Sequence, residues 1–248
     1  MRPLHCATIA LGAMVLVLWG AIVPATAQIN PELPAFEPRI DSTDGGTRGT
    51  GSRDTTRNGG MCLNPSDRIV LLTPAESPLT TDRLPGFLAI LPPVADETVD
   101  FGKLEIYDRQ GMLLYEETFP LPDTPGTVKF SPSDIETVEL EPGVTYNWSV
   151  AILCHPIEGY NPVSTGQFRI AEPSLEVRDR LGDATCSEAP ALCASDGIWY
   201  DPLVSLFEAR LANPDDADLE AAWFSLLESA GLADYAGVRL VDRVELDE

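Results

Sequence analysis

Between Val144 and Cys154 the chain alternates with a period of two. Val144, Tyr146, Trp148, Val150, Ile152 and Cys154 are apolar, and Thr145, Asn147 and Ser149 stand between them. Alternation of this length, rich in aromatic and β-branched residues, predicts a half-buried strand. Glu141-Pro142-Gly143 just before it predicts the turn that feeds the strand.

The same signal recurs at short spacing through residues 61–171. Strands are expected at residues 68–73 and 86–91, the latter stopped by Pro92-Pro93. Phe101–Tyr107 and residues 112–119 form a hairpin around residues 108–111. Further strands are expected at Gly126–Phe130, near 137–140, and at 165–170. Seven or eight such strands suit an antiparallel β-sandwich of the immunoglobulin or fibronectin type III kind. Leu140, a turn and then Tyr146 opening a strand resemble the tyrosine corner of those folds, in which the phenol bonds back to upstream backbone.

After Pro173 the period changes to that of a helix. Leu203, Leu206, Phe207 and Leu211 share one face, and Leu219, Trp223, Leu226 and Leu227 share another. Asp201-Pro202 reads as an N-cap followed by proline at the first helical position. Asn213-Pro214 ends the first helix, and Gly231-Leu232 caps the second. Shorter helices are expected at Leu175–Leu181 and around 188–194. Gly197-x-Trp199, Ala209 and Pro214 have the spacing of the later part of a tetratricopeptide repeat. One such unit cannot make a solenoid, so residues 172–234 are expected to be a small helical unit packed on the sandwich. Residues 235–248 are expected to be an acidic tail.

The first 27 residues read as a secretory signal: Arg2 and His5, an apolar run to Val23, and Ala25-Thr26-Ala27 as a cleavage site. A membrane anchor is the alternative, disfavoured by Pro24 and the cleavage motif. Residues 28–60, rich in Pro, Gly, Thr, Arg and Asp, are expected to be a disordered linker. Their glycine run at 45–51 lacks the Gly-Lys-Ser/Thr ending of a phosphate loop. No later stretch is apolar enough to span a bilayer, so the chain is expected to be exported to the periplasm or beyond, without membrane insertion.

Charge narrows the partners. The chain carries 16 Lys+Arg against 39 Asp+Glu, a net charge of −23. Arg2 is the only charged residue in the signal, so the remainder is one unit more negative still. Nucleic acid and anionic lipid both select clustered Lys and Arg, and this balance excludes them as partners.

Four cysteines follow the signal. Cys62 paired with Cys154 would tie the start of the sandwich to an inward-facing strand position, stabilising by about 4–5 kcal/mol on the chain-entropy account. Cys186 and Cys193 could form a second bridge. Seven residues of continuous helix rise about 10.5 Å, beyond the roughly 7 Å allowed between bridged Cα atoms. That bridge therefore requires the helix to be broken at Pro190; otherwise the thiols stay free or pair elsewhere.

Met61-Cys62, the stretch TFPLPDTPGTVKF at 118–130, Tyr146-Asn147-Trp148 running into Cys154, and Gly197-Ile198-Trp199-Tyr200-Asp201 together resemble one family. It is a cyanobacterial exported family known as domain of unknown function 928, and the likeness runs from about Cys62 to Leu232. The family's pattern has an aromatic where Cys193 stands and alanine where Pro202 stands. A Cys186–Cys193 bridge would then be peculiar to this chain. The resemblance implies a compartment and a layout, and carries over no catalytic residue.

The search for chemistry is brief. His155 is the single histidine after the signal, which rules out multi-histidine metal sites, and no Gly-x-Ser-x-Gly elbow exists. Cys154 beside it is expected to be oxidised rather than nucleophilic. Lys103 and Lys129 are the only lysines, both on predicted strands. Asp215, Asp216, Asp218 and Glu220 could meet a calcium ion, but their spacing is not that of the helix-loop-helix motif, and the helix dipole explains them. Trp199 and Tyr200 beside Asp201 are the candidate interaction group, with core packing as the competing reading. Asn147-Trp148-Ser149 matches a glycosylation sequon within a strand. The expectation is a non-enzymatic, cofactor-free exported module engaging an unknown envelope or extracellular protein. A carboxylate-dependent hydrolase of glycans and a calcium-stabilised structural domain are the alternatives.

Overall fold

A computed structural model describes residues 36–39, 53–54, 62–76, 78–83, 85–96, 98–132, 140–154 and 161–242. The expected signal at 1–27, most of the expected linker, the strand near 137–140 except Leu140, and His155 lie outside the described residues.

Among the described residues the chain is mainly β, with two mixed sheets, four α-helices and a short 3-10 turn at Ala233–Tyr235. Ten strands appear in the order β1 (Arg53–Asp54), β2 (Val70–Leu71), β3 (Leu79–Thr80), β4 (Phe87–Leu91), β5 (Phe101–Tyr107), β6 (Leu113–Pro120), β7 (Gly126–Phe130), β8 (Thr145–Ile152), β9 (Val163–Ile170) and β10 (Leu240–Val241). The larger sheet runs β1-β9-β8-β5-β6, with β3 parallel on β9. The smaller runs β10-β7-β4-β2, with β10 parallel to β7. The expectation of a purely antiparallel sandwich is corrected by these two short parallel pairings.

β8 sits between β5 and β9. Its burial alternates only as far as Trp148; from there Ser149 and Ala151 on the opposite face are buried as well. The expected half-buried strand is thus covered on both faces in its second half. Tyr146, Trp148, Val150 and Ile152 turn toward the core. The sheets meet through rings: Phe87 of β4 stacks on Trp148 of β8 at 4.4 Å, and Phe119 of β6 lies 4.8 Å from Phe130 of β7. Trp148 needs room across the ladder. Its partner is Gly166, where a Cβ would come within 2.6 Å of Trp148 Nε1. A glycine inside a strand, normally a weakness, is here the space for an indole. The Glu141 N–H donates to the Tyr146 hydroxyl at 2.8 Å, closing a tyrosine-corner geometry.

Four helices follow: α1 (Leu175–Leu181), α2 (Pro190–Ala194), α3 (Tyr200–Ala212) and α4 (Ala217–Ser229). Ser174 caps α1 through Val177 N–H, and Asp216 caps α4 through Asp218 and Leu219 N–H. Beyond α4, Gly231 at φ +73° lets Leu232 N–H reach Leu227 O at 2.8 Å and Gly231 N–H reach Glu228 O at 2.9 Å. This is the Schellman pattern the Gly-Leu pair predicts. Leu203, Leu206 and Phe207 of α3, with Leu219, Trp223, Leu226 and Leu227 of α4, join the sandwich in one apolar cluster. The tetratricopeptide-like spacing thus falls on helices whose inner faces are committed to the sheets.

Several strand ends shift by one or two residues, and three regions differ further from expectation. The first strand shrinks from 68–73 to Val70–Leu71, and β3 was not foreseen. Leu240–Val241 pair with Thr127 and Val128, so the expected tail from 235 begins with structure that covers a sheet edge. In the expected linker, Arg53–Asp54 pair with Thr165 and Ser164, and residues 36–39 dock on the fold. Phe36 explains the docking: it is a large apolar residue in a polar stretch, and it is buried.

Candidate functional site

Residues 197–201 form the seam between helices and sheets. Trp199 N–H donates to Leu79 O at 2.8 Å, and Leu79 N–H donates to Gly197 O at 3.3 Å. Ile198 makes a parallel bridge with Leu79. Trp199, 0% exposed, donates its indole N–H to Leu72 O at 3.0 Å. Tyr200, 1% exposed, enters the core edge-on to Phe87. Its hydroxyl donates to Gln167 O at 2.7 Å and accepts from Trp148 Nε1 at 3.1 Å, with Thr73 Oγ1 also at 3.1 Å. Burial pushes the pKa of this phenol upward, against the hydrogen bonds from Thr73 and Trp148, which pull it down.

The candidate interaction group is therefore corrected. With Phe36 seated against Trp199, both Trp199 and Tyr200 are buried and offer no surface to an outside partner. Asp201, 8% exposed, is not the N-cap of α3, because the helix starts one residue earlier. Its carboxylate accepts from Thr81 N–H at 3.1 and 3.2 Å and from the Thr81 hydroxyl. Burial raises its pKa above the usual aspartate value, and the Thr81 and Thr80 hydrogen bonds oppose that rise.

Both disulfides are formed. Cys62–Cys154 has a Cα separation of 5.7 Å, and Cys186–Cys193 one of 5.5 Å. The second is possible because α2 begins only at Pro190, leaving Cys186 in the turn before it. Lys103 pairs with Glu116 at 2.9 Å, and Lys129 with Glu208 at 2.6 Å. These are surface ion pairs without the desolvated pocket a Schiff base requires. Asp216 of the acidic 215–220 group is spent on its helix cap. Among the described residues no three carboxylate, histidine or cysteine groups come together to hold a metal ion. Asn147 accepts from Gln167 Nε2 at 3.0 Å within the sheet.

The concave candidate lies elsewhere, at the end of the sandwich where β4 and β6 finish and β5 and β7 begin. A groove of about 600 Å³ is walled there by Pro92, Pro93, Pro120, Pro122 and Pro125, with Asp96, Asp100 and Asp123 as the ionisable groups among its described residues. Phe101 lies along it and is 42% exposed. The two loops that make the groove are joined by Leu121 N–H to Asp100 O at 2.8 Å. They are also tied to the disulfide: Ala95 N–H donates to Cys62 O at 2.9 Å, and Leu153 N–H to Phe101 O at 2.9 Å. Proline walls carry no N–H, so they offer ring surface and carbonyls without demanding a protein partner. Such a site can hold an apolar, extended segment and neutralise a positive charge. Sequence reasoning passed over it. The available signal was proline at matching strand ends, Leu91-Pro92-Pro93 and Pro120-Leu121-Pro122, which a sandwich brings to one end.

Residues 43–240, well over half of the chain, match the family described as Domain of Unknown Function (DUF928). The chain belongs to that family. No curated protein matches it. Among solved structures it is similar to the fn3 domain of human collagen alpha-1(XX) chain, at 16% identity with a TM-score of 0.26, over 48% of this chain and 94% of that one. Among the described residues no helix is long and apolar enough to cross a membrane.

Proposed function

We propose that this member of the family is an exported, non-enzymatic, cofactor-free binding module that engages a protein of the cell envelope or the extracellular space. Residues 1–27 direct export, and the two disulfides suit an oxidising compartment. The strand order β6-β5-β8-β9 facing β7-β4-β2 is read as an immunoglobulin or fibronectin type III sandwich, with the helices as a buttress on its core. Such sandwiches present their binding loops at the ends of the sheets.

The observation that carries this reading is the groove at one of those ends, with proline walls, a half-exposed phenylalanine and three aspartates, and no basic or nucleophilic group. Its chemistry selects an extended, basic and partly apolar segment. The test is retention of proteins from the exported fraction on immobilised protein. The triple change Asp96→Asn, Asp100→Asn and Asp123→Asn, and separately Phe101→Ala, should each abolish retention of what wild type holds. Retention unchanged in both variants would remove the groove as the binding site.

A further inference from the structure

Residues 36–39, Phe-Glu-Pro-Arg, lie across the fold as a bound peptide would. Phe36, 6% exposed, meets the Trp199 ring edge-on at 5.2 Å. Three residues on, the Arg39 guanidinium spans the Asp196 carboxylate: Nε reaches Oδ1 at 3.3 Å, and Nη2 bonds Oδ2. Its Nη1 donates to Glu172 O at 3.0 Å. Between these anchors the strap backbone presses on Gly197, where a Cβ would stand 3.0 Å from Arg39 N and 3.1 Å from Glu37 O. Gly197 also has φ +77°, so a side chain there is excluded twice, by conformation and by the strap.

The receiving surface is held together without the strap. Ser174 N–H donates to Asp196 Oδ2 at 2.7 Å, so the carboxylate is fixed by the start of α1. Asp196 N–H and Ile198 N–H both donate to Cys193 O, which places the turn on the Cys186–Cys193 disulfide. Trp199 is fixed by Leu72 and Leu79. An aromatic socket, a planar carboxylate for a two-pronged arginine and a glycine floor for the intervening backbone make a preorganised peptide site.

We propose that Trp199, Gly197, Asp196 and the Glu172 carbonyl form a recognition site for an extended aromatic-x-x-arginine segment, filled in cis by residues 36–39 and able to take the same segment from a second copy of this chain. The occupant follows from the site: the four residues seated on it match each feature, and every copy carries them. In one chain the tethered strap has an effective concentration of about millimolar order, so exchange between copies is suppressed until a strap is disabled.

The first test compares wild type with Asp196→Lys. Trypsin should cut after Arg39 on the order of tenfold more slowly in wild type than in the variant, since a docked arginine is reachable only when the strap lifts. Equal initial rates in the two proteins would overturn the proposal. The second test mixes two full-length variants, Phe36→Ala/Arg39→Ala with an open site and Asp196→Lys with a free strap and a spoiled site. Each should be monomeric alone, and together they should form a one-to-one complex in sedimentation at hundreds of micromolar, roughly the range the tether argument sets. A fluorescent peptide of residues 32–41 should bind the first variant and not the second. Near-UV dichroism of the tryptophans reports that each variant is folded. A folded Phe36→Ala/Arg39→Ala chain that binds neither peptide nor partner copy would overturn the site.

Discussion

Trp199 and Phe101 both follow a loop and stand at or beside the start of a regular element, yet one is sealed and the other stands nearly half exposed. The difference lies in what surrounds them. At the seam each polar atom brought in with an aromatic ring meets a partner: the Trp199 N–H finds Leu72 O, and the Tyr200 hydroxyl finds Gln167, Trp148 and Thr73. At the groove the walls are prolines, which bring no N–H to be satisfied, and the charges among the described residues are all carboxylates. A fully satisfied aromatic cluster is a device for stability. An apolar floor with one sign of charge is a device for association.

Trp199→Ala should do the most damage to the seam. Truncating a fully buried tryptophan costs about 3–5 kcal/mol, read as a lower denaturant midpoint with unchanged slope. A loss under about 1 kcal/mol would mean that the core collapses readily around the gap. Next comes the bridge that serves the groove. Cys62→Ser with Cys154→Ser should cost about 2–5 kcal/mol, and it should also release the loop around Ala95, seen as faster hydrogen exchange there than at Trp199. Equal protection at both places would detach the groove from the disulfide. Tyr200→Phe should cost about 1–3 kcal/mol, because it strands the Trp148 N–H in the core. A neutral outcome would show that the hydroxyl network can be rebuilt without it.

A smaller effect distinguishes the seam by pH. Burial raises the pKa of Asp201 in the folded chain above its ordinary value near 3.8. The stability tied to its protonated form is complete below that ordinary value and is lost as pH rises through the raised one. Asp201→Asn should flatten melting temperature over that rise; an unchanged profile would show that the Thr81 hydrogen bonds cancel the cost of burial. The smallest change in stability belongs to the groove. Asp100→Asn and Asp123→Asn should each shift stability by no more than about 0.5 kcal/mol while weakening retention of a basic partner. A larger loss of stability would make the groove a structural feature.

The contrast also marks which features could be read in advance. Tyr146 and Trp148 were legible because burial of alternate residues on a strand is local information, and the first half of β8 carries it. The faces of α3 and α4 were legible for the same reason. Trp199, Tyr200 and Asp201 were ambiguous, since Gly-Ile-Trp-Tyr-Asp has the same composition whether it faces solvent or Leu79. The Asp201 carboxylate left its expected cap for Thr81, a partner 120 residues away. Phe36 gave only the faint signal of the one aromatic residue in a polar stretch.

Periodicity and turn residues thus determined the longer strands, the helices and the change of architecture after Pro173, because each depends on neighbours within a few residues. The tertiary structure alone decided that an aromatic pair is welded in place, that proline-rich strand ends from two loops make one groove, and that a four-residue strap finds a socket beside Trp199. Each of those depends on surfaces contributed by segments dozens of residues apart. No local pattern encodes which of them will meet.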